Sequence, residues 1–323
     1  MGIARRLGML AAALLAAASP QVAAAAPAPE IRTADVDRFY AVYDAAHGHP
    51  TAAALQHGYV DPGSAELRAF MADKVGTAAD LARAIERRPQ AFAKARDCMS
   101  ALPAVRARLV AVDARYEALV PGARLPPVTL VVGRLASGGT TTAGGVVVAL
   151  ETVCAMDWTH PDPADRLVHL IAHEDGHVQQ PAALVDPPPG ASLLFQSLVE
   201  GEAELLAELT SGDILNTNLK SWTRGHECDI ERAFARDAPG ADTSRWLYNG
   251  HGTPARPGDL GYWVGYRIAK AYCDRAPDKH RAIAELLAVT PGNAAELLER
   301  SGWTPDTDCA KAAADDRARP AGR

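Results

Sequence analysis

Beyond its first two dozen residues the chain has no apolar run approaching the ~20 residues that a membrane-spanning helix needs, which excludes such a helix there. It has no Cys-x-x-Cys pair. None of its five cysteines, Cys98, Cys154, Cys228, Cys273 and Cys309, stands near histidines at zinc-finger spacing, so disulfides are their expected use, with the odd count leaving at least one thiol free or paired with another chain. An excess of positive charge is also missing: the formal net charge is −6, a poor match to nucleic acid. The glycines of "ASGGTTTAGG" are followed by no Gly-Lys-Ser/Thr, and no Gly-x-Gly-x-x-Gly leads from a strand into a helix, so a phosphate-binding loop is not expected. There is no internal repeat and no long low-complexity linker.

The chain begins with "MGIARRLGMLAAALLAAASPQVAAAA", in which Arg5 and Arg6 precede a short apolar run and then small residues ending near Ala26. That is the pattern of a secretory signal peptide over residues 1–26, so a soluble protein exported to the bacterial periplasm or the medium is expected, and no cysteine follows to carry a lipid anchor. Residues 27–122 read as a helical region, with apolar positions three and four apart in "TADVDRFYAVYDAA", "TAADLARAIERR" and "AVRARLVAVDARYEAL". The period then changes. "PPVTLVVGRL" and "GGVVVALETV" are short β-branched runs expected to form two strands joined by the Gly/Thr-rich turn between them. Helices are expected again from Ala164 to about Gln180, Ala191 to about Leu215 and Asp259 to Cys273, with a final pair in "KHRAIAELLAV" and "NAAELLERSG". The expected fold class is α+β, predominantly helical, with a small sheet before the helix of "LVHLIAHEDGHVQQ" and the functional region in residues 123–323.

In that helix His173 and His177 are four residues apart, so both rings leave one face about 6 Å apart and can turn a nitrogen to the same ion. Glu174 is rotated away from the shared ion but placed to take a proton from a water on it. The bland alternative is two core histidines in register. On a buried, apolar helix, however, two unpartnered imidazoles and a carboxylate cost several kcal/mol, which a metal would offset. His169 extends the ladder to i+8, but a rise of about 6 Å per four residues keeps one ion from both ends, so it is expected to be an ordinary hydrogen-bonded histidine. A zinc hydrolase needs a third protein ligand. The best candidate is Glu200 in "SLVEGEAELLAEL", 23 residues after His177, with Glu204 one turn on along the same face; Glu202 and Glu208 are expected to be solvated.

With "HEDGH", then "EGEAE" in place of a Glu-Gly-x-Ala-acid motif, then "GYWVGYRIAKAY" in place of a Tyr-x-x-Gly-Tyr helix, the chain resembles the gluzincin-type metallopeptidases, and among them a bacterial family of predicted zinc-dependent proteases. "SGGTTTAGGVVVALE" and "VDPGSAELRAF" extend the likeness over most of the chain. The resemblance implies a zincin-like fold, one Zn2+ held by His173, His177 and Glu200, Glu174 as general base, and Glu204 behind the ligands on a histidine, where the family more often has aspartate. It also implies peptide or protein substrates. A donor to the developing oxyanion is needed besides the metal, and Tyr262 or Tyr266 is expected to supply it, ahead of His226 or His251. The strand "GGVVVALE" is expected either along the cleft edge, pairing with extended substrate, or inside the sheet. A different class of function is a non-catalytic envelope protein that keeps the fold for binding or assembly, as in the related gliding-motility lipoproteins.

Overall fold

Short polar residues start several of the helices. Ser64 accepts from the Leu67 N–H, and Thr77 and Asp80 cap each other reciprocally, side chain to backbone in both directions. The computed structural model describes residues 29–181, 184, 187–250, 252–253 and 255–305; the expected signal segment, His251 and Cys309 lie outside them. In chain order the elements are β1 (Ile31–Arg32), α1 (Ala34–Ala45), α2 (Ala52–Leu55), α3 (Ala65–Phe70), α4 (Ala78–Arg87), α5 (Pro89–Ala95) and α6 (Leu102–Leu119). Helices α2 and α3 each widen into one π turn, Gln56–Val60 and Met71–Val75. Next come β2 (Val128–Val131), β3 (Gly139–Thr142), β4 (Gly145–Ala149), α7 (Leu150–Ala155), α8 (Pro163–Gln179) and α9 (Leu193–Ser211). The chain continues through α10 (Thr217–Trp222), α11 (Glu227–Asp237), β5 (Gly252–Thr253), β6 (Arg256–Pro257), α12 (Leu260–Arg275), α13 (Lys279–Leu287) and α14 (Ala294–Ser301). The class is α+β, mostly helix with a small sheet.

The sheet differs from the expected pair of strands. Its order is β1-β2-β4-β3, with β1, β2 and β4 parallel and β3 antiparallel to β4. The segment expected to be a turn contains β3, whose three consecutive threonines suit a pleated surface, and the reversal shrinks to Ala143 and Gly144. Strand β4 is buried along its whole length between β2 and β3, so the inside-the-sheet alternative holds for it and the outer position belongs to β3. The helical N-terminal region supplies β1 and packs into the same hydrophobic core as the rest, from Ile31 to Trp303. Tyr59 fastens the two parts: its hydroxyl donates to the Val132 carbonyl and accepts from the Val132 N–H, both at 2.8 Å.

Cys98 and Cys154 form a disulfide across a sequence separation of 56, a loop whose closure removes about 4 kcal/mol of unfolded-chain entropy. Cys228 is also disulfide-bonded, and Cys273 is a buried free thiol. Among the described residues no helix is long and apolar enough to cross a membrane.

Three glycines bring α8, α9 and α12 unusually close. A Cβ on Gly176 of α8 would lie 3.0 Å from Ala203 Cα, and one on Gly201 of α9 would lie 2.0 Å from the Gly265 carbonyl carbon of α12. A Cβ on Gly265 would in turn lie 1.7 Å from the Ser197 carbonyl oxygen. Backbone rests on backbone at this crossing, and the side chains next to it are carried into one cleft.

Candidate metal centre

Helix α8 is buried over most of its length, so its apolar residues fix its rotation and point His173 and His177 at α9. There Glu200 Oε2 lies 3.2 Å from His177 Nε2 and 3.5 Å from His173 Nε2, and the two Nε2 atoms are 3.2 Å apart. The three ligand-type atoms fall within 4.8 Å of one another, and His173, His177 and Glu200 could hold a metal ion. All three residues line a cleft of about 330 Å3, together with Glu174, Gly139, Thr141, Phe195, Tyr248 and Tyr262.

The hydrogen bonds around His177 test the fit of a cation. The Gln180 amide nitrogen faces the Val199 carbonyl at 2.8 Å and Glu202 Oε2 at 2.7 Å. Because a carbonyl only accepts, that atom must be the NH2, and the amide oxygen is therefore the atom 2.9 Å from His177 Nδ1. Nδ1 thus carries a hydrogen. In a neutral His177 the Nε2 lone pair then points at His173 Nε2 and the Glu200 carboxylate. Three electron-rich atoms so close together need a proton or a cation between them, and two imidazoles with a carboxylate suit a divalent ion of the zinc type.

In the metal-free protein a proton fills this role. Burial pulls the His177 pKa down, but the Glu200 carboxylate and the hydrogen bonds of Glu200 and Gln180 pull it up further, to about 10. Burial pushes Glu200 the other way, yet the two histidines hold its carboxyl well below the usual carboxylate range. A metal must displace the proton on His177, so binding strengthens as pH rises toward 10 and weakens as it falls. We expect apparent zinc affinity to rise by at least about tenfold per pH unit between pH 6 and 8, measured against a competing chelator corrected for its own protonation. Against burial, Glu200 also raises the pKa of His173, so a second proton is displaced over part of that range. A pH-independent affinity would show that no proton on His177 is displaced.

Glu174 lies on the β3 side of the cleft, outside the ligand cluster. The Thr141 hydroxyl is 3.0 Å from its carbonyl oxygen and 3.3 Å from its Oε2, and a Cβ on Gly139 would come within 2.9 Å of its Oε1. Burial raises the Glu174 carboxyl pKa, against the opposing pull of His177 and His173.

His169 is not in the ligand group; its Nδ1 is 2.6 Å from the Ser211 hydroxyl, its ring stacks on His160, and burial with that neighbour lowers its pKa to about 4. Glu204 is buried beside His173, but Oε1 stops 3.9 Å from Nδ1, beyond a hydrogen bond. Its oxygens accept instead from the Leu215 N–H and the Asn216 amide, and His173 Nδ1 is left buried without a partner. Glu202 is not solvated, contrary to expectation. It is 1 % exposed and bonded to Gln180, because the face of α9 turned away from the cleft is packed too. Glu208 is half-buried and ion-paired to Lys270.

Tyr262 lines the cleft, its ring 6.1 Å from that of His173. Tyr266 does not line it: the crossing at Gly265 falls between the two tyrosines, and one further turn carries Tyr266 past α9 to pack at a tilt against Trp263 in a separate cavity. His226 is exposed and stacked on Trp222.

Tyr248 was not singled out. Its hydroxyl donates to Glu200 Oε1 at 3.0 Å, leaving Oε2 for the histidine side, and its ring meets Tyr262 edge-on. Its φ of 58° is a left-handed conformation that costs a non-glycine residue on the order of 1–3 kcal/mol and is typical of functional sites. The neighbouring pair Asn249 and Asp259, each accepting the other's backbone N–H, holds the loop in place. No family model, curated protein or solved structure matches the chain.

Proposed function

We propose that the protein is an exported zinc-dependent metallohydrolase, a peptidase with a zincin-like fold of the gluzincin type. The observation that carries this reading is the convergence of His173, His177 and Glu200 on one point of a cleft that Glu174 also lines. Zinc held by these three residues would supply a Lewis acid and lower the pKa of a water to about 7. Glu174, buried and close to the ligands without belonging to them, accepts the proton of the attacking water and returns it to the leaving amine.

Tyr262 is the cleft-wall phenol that takes the role of oxyanion partner in place of Tyr266, since the one hydroxyl proton of Tyr248 goes to Glu200 Oε1. Strand β3 ends the sheet, and its outer edge offers backbone hydrogen bonds to an extended peptide, the role considered above for the neighbouring strand. Export is supported by the Cys98–Cys154 disulfide, which suits an oxidising compartment.

The test is metal analysis of the purified protein together with digestion of a broad peptide library. One zinc per chain and defined cleavage products are expected. Stoichiometric zinc without cleavage of any peptide would favour the non-catalytic binding protein, and absence of zinc uptake would remove the metal reading.

A further inference from the structure

On α9 the acidic residue between Glu200 and Glu204 faces away from the cleft, and it is still connected to it. Glu202 Oε2 accepts from the Gln180 amide at 2.7 Å, the same amide nitrogen donates to the Val199 carbonyl at 2.8 Å, and the amide oxygen lies 2.9 Å from His177 Nδ1. Gln180 is the residue just after α8, 5 % exposed, and Glu202 is 1 % exposed, so neither exchanges these partners for water.

We infer that Gln180, anchored by Glu202 and Val199, is a positioning residue that keeps the His177 hydrogen on Nδ1 and so leaves Nε2 free for the metal. The inference rests on the metal reading of the site. The Val199 carbonyl is what makes the arrangement directional. It cannot donate, whatever the state of the glutamate, so the amide cannot flip to offer its NH2 to His177 without losing a buried hydrogen bond. Hydrogen bonding of the outer ring nitrogen to a fixed acceptor sets both tautomer and ring orientation in metal-binding histidines. His173 has no equivalent partner on its Nδ1. The constraint on the pair therefore falls on His177, and through it on the turn where α8 ends and the chain heads for α9.

The experiment compares zinc-loaded wild type, Gln180→Leu and Glu202→Gln by competition with a chromophoric chelator and by NMR of 15N-histidine-labelled protein. Gln180→Leu is expected to bind zinc about 10–100-fold more weakly and to lose the slowly exchanging Nδ1–H signal of His177. Glu202→Gln keeps an oxygen that accepts from Gln180 and is expected to retain wild-type affinity and the signal. If Gln180→Leu fails to fold, Gln180→Met, unbranched and of the same length, is measured in its place. A folded Gln180 variant with wild-type zinc affinity overturns the inference. So does a variant that binds weakly with the Nδ1–H signal unchanged, since the loss would then come from packing. Failure of the wild type to take up zinc removes the metal reading and the inference together, whereas normal uptake with an unaffected Gln180 variant removes the inference alone.

Discussion

Glu174→Gln is expected to keep its zinc and to lose hydrolysis by about 10²–10⁴-fold, the usual contribution of a positioned general base. The substitution conserves shape and volume, and its surroundings accept it. The Thr141 hydroxyl can donate to an amide oxygen as it does to a carboxylate, and Gly139 leaves room beside the other terminal atom. What disappears is the capacity to take a proton, because a carboxamide is not basic near neutral pH. The metal should remain, since the clustered ligand atoms come from His173, His177 and Glu200. Zinc content and peptide cleavage measured on the same preparation decide the point: a variant that loses its zinc would place Glu174 among the ligands, and one that cleaves normally would deny it the role of base.

Gly265→Ala is expected to destabilise the fold by more than about 4 kcal/mol, in the exceptional range for a single substitution. An added Cβ would lie 1.7 Å from the Ser197 carbonyl oxygen and 3.3 Å from Gly201 Cα, so α12 has to move away from α9 as a body. Side chains that can rotate absorb overpacking cheaply, but here the opposing atoms belong to a helix backbone. Separating the helices also shifts Glu200, the neighbour of Gly201, and weaker zinc binding in whatever fraction folds is a second consequence. Gly292→Ala serves as a control, because its nearest neighbour would be the Thr290 hydroxyl at 3.8 Å and its change should stay within about ±0.5 kcal/mol. Chemical denaturation of the two variants beside wild type gives the answer; equal midpoints for Gly265→Ala and wild type would mean that the helices do not cross so closely.

The clustering of His173, His177 and Glu200 could be anticipated from sequence because its spacing is local to two helices. His173 and His177 share a face by helix geometry, and the same geometry separates Glu200 from Glu202. The side of α9 opposite the cleft was expected to meet water, and rotation about a helix axis cannot reveal that α9 is packed nearly all round. Tyr262 and Tyr266 share a face as expected, but only the position of the Gly265 crossing determines that one enters the cleft and the other leaves it. Tyr248 reaches Glu200 from 48 residues away along the chain, on a loop whose turn signal, Asn249-Gly250, marks a reversal without indicating where it points. Strand β3 was hidden by the glycines on both sides of its threonines. Pairing with β4 decided its state, and pairing is a property of the neighbour as much as of the segment.

The hairpin tip at Ala143 and Gly144 is exposed, as sites of proteolytic nicking commonly are. It also lies between Cys98 and Cys154, inside the ring that their bond closes. A single cut there, or anywhere else between those cysteines, opens the ring without freeing a fragment. The two pieces would travel as one species on a non-reducing gel and separate when the thiols are reduced. In a compartment that contains proteases, a clipped molecule would keep β3 tethered beside α8 and with it the wall of its cleft.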